Sequence, residues 1–273
     1  MQTAAVSTKS GTYDAHSLHE QLRASGVPVA ELNIAASLDS TNSDALRRAE
    51  SLPLDRFVIS IADTQTAGRG RRGRRWESPP GRSIHLSIGW RSTLPLDYEP
   101  TALPVAIGVA VADALFACTG LKLALKWPND LYLDAGKLGG ILLESRVSAH
   151  AMTVVAGIGI NHLRDASVTE KVDQPVSFLD DHAPGHSRQM LAVETIAACA
   201  RAIDEFRRNG LMPFRAAWMR YDMLRDRSIR VQDGKQPFDG IARGLSDNGE
   251  LLVETPEGLR MCHSGEVSVR VAP

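Results

Sequence analysis

Eight consecutive residues, Gly68-Arg69-Gly70-Arg71-Arg72-Gly73-Arg74-Arg75, contain five arginines and three glycines. Charges packed this densely repel one another, and each glycine costs backbone entropy in a regular element. With Pro79-Pro80-Gly81 close behind, the run makes 64–82 an irregular segment. Glycine lets a backbone approach an anion and adopt positive φ, and arginine neutralises phosphate or carboxylate oxygens. Gly68, Gly70 and Gly73 also satisfy the dinucleotide pattern GxGxxG, but that pattern needs a helix after its third glycine, and the prolines forbid one. On these residues alone a ligand loop, an arginine-rich RNA arm with Trp76 as its stacking residue and a merely solvated loop all stay open.

Composition narrows the choice. The chain has 273 residues, 43% of them hydrophobic, enough for a real core in one large domain or in a catalytic domain with a small companion. Lys and Arg total 31 against 32 Asp and Glu, a net charge of −1, so no global field draws the chain onto nucleic acid or an anionic membrane. Cys118, Cys199 and Cys262 are scattered and form no CxxC pair, which argues against a disulfide framework or a zinc site. The opening Met1-Gln2-Thr3-Ala4 shows no secretory pattern. Leu103 to Cys118, interrupted by Asp113, reads as too short and too polar to span a bilayer. These features predict a soluble, cytoplasmic protein without a membrane partner.

Residues 1–12 are small and polar and are expected to fray. Helices are expected over Asp14 to Ser25, stopped by Gly26 and Pro28, and after the N-cap run Ser40-Thr41-Asn42-Ser43. Three more are expected over Leu103 to Thr119, from Ser187 to Asn209, and over Met212 to Arg225. Strands are expected at Leu32 to Leu38, Phe57 to Ile61 and Ser83 to Trp90. An antiparallel set follows at Leu121 to Lys126, Leu131 to Leu133, Leu138 to Ser145 and Met152 to Ile160. After Asp226 the short runs 229–231, 238–243, 250–254, 258–262 and 267–271 alternate with turns at Asp233-Gly234, Asp247-Asn248-Gly249 and Pro256-Glu257-Gly258. That rhythm predicts a small all-β barrel.

Two further segments can carry chemistry. In Lys126-Trp127-Pro128-Asn129-Asp130, Asn129 and Asp130 offer adjacent hard oxygens suited to Mg2+ held with phosphates. Lys137 can place a point charge on a developing phosphorane or a carboxylate. A β-turn with solvent-facing polar residues explains the same letters. In Val154-Val155-Ala156-Gly157-Ile158-Gly159-Ile160-Asn161, two glycines on one strand face let a flat ligand lie against the backbone. Asn161 adds an amide able to read a base edge. A sheet kink or bulge is the alternative.

Taken together, Ser40-Thr41-Asn42, Gly68-Arg69-Gly70-Arg71-Arg72-Gly73, Lys126-Trp127-Pro128-Asn129-Asp130, Lys137-Leu138-Gly139-Gly140-Ile141 and Gly157-Ile158-Gly159-Ile160-Asn161, with the tail Gly265-Glu266-Val267-Ser268-Val269-Arg270, resemble the biotin–protein ligase family. The resemblance runs from about Leu32 to the C-terminus. It implies an α+β fold: a class II synthetase-like catalytic domain with a mixed or antiparallel sheet, plus a small C-terminal SH3-like β-barrel. Residues 1–31 would be an N-terminal extension, 32–225 the catalytic domain that binds biotin and ATP, and 226–273 the SH3-like domain. ATP and Mg2+ are the implied cofactors and biotin the substrate. Biotinyl-5′-AMP is the implied intermediate, and a lysine on the biotin carrier domain of a carboxylase the acceptor.

By the same resemblance, Ser40, Thr41, Asn42, Gln65, Gly68, Arg69, Gly70, Arg71, Lys137, Gly140, Gly157 and Gly159 surround biotin, and Lys137, Arg69 and Arg71 act catalytically on developing charge. Arg72, Arg74, Trp76, Asn161 and Arg243 serve the nucleotide, and Gly68 to Arg75 close over the adenylate. Asn129 and Asp130 hold the magnesium. Only about 31 residues precede the matching region, too few for the winged helix–turn–helix of many bacterial relatives, so no DNA binding is expected. Some members place a tryptophan after the residue matching Asn161; between His162 and Pro184 this chain has only Phe178 as an aromatic. Oligomeric state, a homodimer included, stays open. A lipoate–protein ligase shares the fold and chemistry, but the Gly/Arg loop and the Lys-Trp-Pro-Asn-Asp turn favour biotin. An RNA-binding module would explain the loop and neither the glycine strand nor Asn129-Asp130.

Overall fold

The computed structural model describes residues 5–9, 13–54, 56–77, 79–94, 96–98, 100–172, 174–232, 236–264 and 268–271. Its elements, in chain order, are β1 (Ala5–Lys9), α1 (Ala15–Ala24), β2 (Val29–Leu38), α2 (Thr41–Ala49), β3 (Phe57–Gln65), β4 (Ser83–Thr93) and α3 (Leu103–Thr119). Then come β5 (Ala124–Lys126), β6 (Asp130–Leu133), β7 (Gly136–Val147), β8 (Ala151–Asn161), α4 (Ala166–Lys171), α5 (Arg188–Asn209) and α6 (Arg215–Tyr221). The eight strands make one sheet in the order β1-β2-β3-β4-β8-β7-β6-β5. β1, β2 and β3 are parallel and the other neighbours antiparallel. Parallel β2 and β3 need a crossover, and α2 is that crossover.

Alternation along β4 sorts the two faces. Ile84, Leu86 and Ile88 are fully buried in the main core with residues of α1, α3 and α5, while the Ser87 hydroxyl, on the other face, meets Thr41 and Asn42 of α2. Under α2 a second small cluster, Ala45, Leu46, Ala49, Leu52, Val58 and Val155, pins the helix to the sheet. Gly120 at φ 73° ends α3 in the left-handed region that glycine adopts without strain. With the preceding turn, Pro100–Thr119 is 20 residues long and by length and composition could cross a membrane, contrary to the expectation from its sequence. It is instead a core helix, burying ten residues and packing on α5 and the sheet.

Other expectations need correcting. Ala5–Lys9 does not fray: it pairs with β2, so its backbone groups find ladder partners at the sheet edge. The predicted strand at Leu121 to Lys126 is only Ala124–Lys126, and the predicted helix to Arg225 ends at Tyr221, where Asp222 turns to an extended conformation. Nor is 64–82 wholly irregular. β3 runs on to Gln65, Arg69 bridges Arg75, the Gly70 N–H donates to Arg74 O at 2.7 Å, and the Trp76 N–H donates to Gly68 O at 3.0 Å. The result is a narrow hairpin around a 3-10 turn, Arg71–Gly73, with Arg72 at φ 60°. A Cβ on Gly68 would stand 2.6 Å from Trp76 O, so the pinch at the hairpin base requires glycine.

A second, antiparallel sheet holds β9 (Ser228–Gln232), β10 (Phe238–Leu245), β11 (Leu251–Thr255), β12 (Gly258–Cys262) and β13 (Ser268–Val271) in the order β12-β11-β10-β9-β13. The expected turn Asp233-Gly234 and the tail residues Gly265-Glu266-Val267 lie outside the described residues. The small sheet is fastened to the large one. Trp127 Nε1 donates to Gly249 O at 3.0 Å, and Arg215 pairs with Asp247. Gly249, at φ 84°, sits so close that a Cβ would lie 2.8 Å from Ala102 Cβ.

Candidate active site

Between α2, the hairpin and the ends of β7 and β8 lies a cavity of about 420 Å³, within the size range of small-molecule sites. It gathers Ser40, Thr41, Asn42, Gln65, Arg69, Gly70, Arg71, Arg74, Trp76, Asn129, Asp130, Lys137, Gly140, Gly157, Gly159 and Asn161. These residues span five separate sequence motifs, and Arg69, Arg71, Arg74 and Arg75 of the hairpin line the cavity with them, which disfavours an RNA arm. Gly68, Arg72 and Arg243 are not on the cavity wall. Gly68 closes the hairpin base. Arg243, on β10, is held by Glu254 at 2.7 Å and Asp226 at 2.6 Å.

One end is neutral and closely hydrogen-bonded. The Thr41 N–H donates to Gln65 Oε1 at 2.8 Å, and the Ser87 hydroxyl donates to Asn42 Oδ1 at 2.6 Å. The other end is cationic. Lys137 Nζ lies 2.6 Å from Asp130 Oδ1, Arg71 Nη1 donates to Asn129 Oδ1 at 3.2 Å, and Arg74 and Arg270 complete the wall. Burial holds the Arg71 guanidinium below its usual pKa, with Arg72 and Arg74 adding to that shift and Asp130 opposing it. Burial likewise lowers Lys126, where Asp130 opposes and Arg270, Lys137 and Arg74 reinforce. A half-buried carboxylate ringed by this many cations leaves an excess of positive charge that an anionic ligand relieves.

The glycine strand is not the bare floor expected of it. A Cβ on Gly157 would collide with the Asn42 amide, and one on Gly159 would meet the Trp76 ring at 2.8 Å. Each glycine is therefore a socket for a side chain from another element, and those side chains make the floor. Asn161 Nδ2 donates to Lys137 O at 3.3 Å, leaving its amide oxygen for a ligand.

The wall also contains residues that sequence reasoning missed. Val168, Lys171, Val172, Gln174 and Val176 come from α4 and the segment after it, so aliphatic groups stand where a tryptophan was sought. Glu77 joins this cover to the hairpin, 3.5 Å from both Arg75 and Lys171. Arg270 comes from β13 of the small sheet; it lay in the tail motif, but nothing local marked it as a cavity residue.

The hard oxygens of Asn129 and Asp130 face the cationic end. Asn129 Nδ2 donates to Ile141 O at 2.6 Å, which orients the amide oxygen toward Arg71. Among the described residues no group of three His, Cys, Asp or Glu side chains can hold a metal. One carboxylate and one amide oxygen fit Mg2+, which keeps waters and takes other ligands from phosphates.

Comparison with known proteins agrees with this geometry. The family model described as "Biotin/lipoate A/B protein ligase family" matches residues 34–161, and "Biotin protein ligase C terminal domain" matches 226–270. The biotin--[acetyl-CoA-carboxylase] ligase of Paracoccus denitrificans is 34% identical over 256 residues, covering 85% of this chain and 98% of the relative. The chain belongs to the biotin–protein ligase family. The bifunctional ligase/repressor BirA of Salmonella typhimurium is 35% identical over 263 residues, 95% of this chain and 79% of the relative. Among solved structures, the biotin protein ligase of Aquifex aeolicus in complex with biotin and ATP superposes with a TM-score of 0.73 at 26% identity, covering 88% of this chain and 99% of the other.

Proposed function

We propose that this ligase joins biotin to ATP as biotinyl-5′-AMP and then passes the biotinyl group to a lysine on the biotin carrier domain of a carboxylase. The observation that carries the reading is the polarity of this cavity: neutral donors and acceptors at Thr41, Asn42 and Gln65, cations at Arg71, Arg74, Lys137 and Arg270. A ureido ring suits the first set and a triphosphate the second.

Attack of a carboxylate on the α-phosphate brings two anions together. Lys137 and Arg71 lower that repulsion and stabilise charge on the phosphoryl oxygens as pyrophosphate leaves. Asp130 and Asn129 would hold Mg2+, which when bound supplies further neutralisation of the phosphates. The hairpin and α4, tied through Glu77, cover the mixed anhydride from water. No side-chain nucleophile is required: the carrier lysine, as free amine, attacks the acyl carbon and AMP leaves. Trp76 and Asn161 would flank the nucleotide base, where the Asn161 amide oxygen can accept from an exocyclic amine. Three free cysteines support a reducing, cytoplasmic setting. Calorimetric titration with biotin against lipoate, with and without Mg-ATP, tests the assignment; lipoate binding in preference to biotin overturns it.

A further inference from the structure

Arg69 does not point its charge at the cationic end of the cavity. Its Nη2 donates to both oxygens of Glu144, at 3.0 and 2.9 Å, and its Nη1 donates to Ser43 Oγ at 2.9 Å. The same carboxylate accepts from Asn42 Nδ2 at 2.7 Å. Asn42 in turn fills the socket over Gly157 and takes the Ser87 hydroxyl. One side chain on β7 thus connects the hairpin, the first turn of α2 and the cavity floor, yet Glu144 is not itself on the cavity wall.

We propose that Glu144 is a positioning residue for the ligation, clamping Arg69 and Asn42 so that the hairpin stays seated and the ring end of the cavity keeps its shape. The proposal rests on the function argued above. An ordinary exposed ion pair would matter little, but here Arg69 Nη2 reaches both carboxylate oxygens while Nη1 is held by Ser43 Oγ, which fixes the guanidinium in direction as well as distance. The third hydrogen bond goes to an amide that is nearly fully buried. Without Glu144, Arg69 rejoins a hairpin whose five arginines repel one another, and the Asn42 Nδ2 keeps the longer bond to Leu142 O at 3.2 Å. At the cationic end Lys137 is held by Asp130, not by Glu144. Loss of Glu144 therefore separates ligand retention from chemistry.

The test uses the full chain with Glu144→Ala and the isosteric Glu144→Gln, which keeps one acceptor. Pyrophosphate release gives KM for biotin, KM for ATP and kcat; a chase experiment gives the release rate of biotinyl-adenylate; a thermal melt reports folding. For Glu144→Ala the expected result is about a 10-fold rise in both biotin KM and adenylate release, with kcat and ATP KM within about twofold. Glu144→Gln should recover part of both effects. Biotin KM and adenylate release both unchanged in Glu144→Ala overturn the proposal, as does a uniform loss of all parameters with a lowered melt in both variants, which marks a merely structural residue. A parent protein that makes no pyrophosphate with biotin and Mg-ATP overturns the functional reading, and this proposal with it.

Discussion

The indole N–H of Trp127 donates to the carbonyl of Gly249 at 3.0 Å, across the junction of the two sheets. Trp127 is 2% exposed, so the tryptophan of the Lys-Trp-Pro-Asn-Asp turn is a strut, not a ligand contact. It holds the small sheet where Arg270 can reach the cavity. Trp127→Phe keeps the packing and strands a buried carbonyl, so unfolding free energy should fall by about 1–3 kcal/mol. Urea denaturation followed by circular dichroism measures this.

Arg270→Ala should raise the KM for Mg-ATP by about 10-fold, the equivalent of one charge-assisted contact, with biotin affinity little changed. Arg243→Ala, which loses the partners Asp226 and Glu254 away from the cavity wall, should change ATP KM less than about twofold. Steady-state pyrophosphate release at saturating biotin compares the two; equal effects would return Arg243 to the nucleotide.

Asp130→Asn removes both the carboxylate suited to Mg2+ and the counter-ion 2.6 Å from Lys137. The KM for Mg-ATP should rise by about 10-fold or more while biotin binding without nucleotide shifts less than about threefold. Calorimetry on the folded variant reads both, and a matched loss of biotin affinity would remove Asp130 from the phosphate end.

Arg71→Gly should yield a leaky enzyme. Arg71 Nη1 donates to a neutral amide oxygen, Asn129 Oδ1, at 3.2 Å, so its charge is available to an anionic intermediate. Losing about 1.5–3 kcal/mol of contact speeds adenylate release by about 10- to 100-fold. Freed biotinyl-adenylate would label lysines on an unrelated bystander protein, visible on a biotin blot. Bystander labelling no greater than with the parent protein counts against retention by this loop.

Acid should weaken the fold through His85. Burial pushes its pKa down to about 4, so the unfolded chain takes up a proton first as pH falls. The stability that neutral His85 allows is complete above about pH 6.5 and drains between there and about pH 4, by roughly 3 kcal/mol at the low end. His85→Gln cannot titrate, and its unfolding free energy should be flatter across that window in urea melts at stepped pH.

The motifs were legible because each is contiguous: glycine and arginine announce a backbone-lined anion site wherever the chain puts them. The helices with strong caps, such as α1 behind Asp14 and α3 before Gly120, were legible for the same local reason. Glu144 was not, since it stands 75 residues from Arg69 and reads as one more polar residue on a strand. Arg270 and Glu77 escaped for the same reason: their partners are fixed by tertiary packing, which leaves no period in the sequence. β1 was hidden because an edge strand of small polar residues has neither alternation nor an apolar run.

The sockets over Gly157 and Gly159 make the inner dimensions of the cavity adjustable from outside the strand. Enlarging either glycine would evict its occupant, but trimming the occupant leaves the backbone untouched. Replacing the Trp76 indole by a small side chain would open a ring-sized hole beside Gly159, the shape that a nucleotide with a bulkier base needs. The room left for a nucleotide base is therefore set in the hairpin, and can be retuned there while the sheet beneath stays as it is.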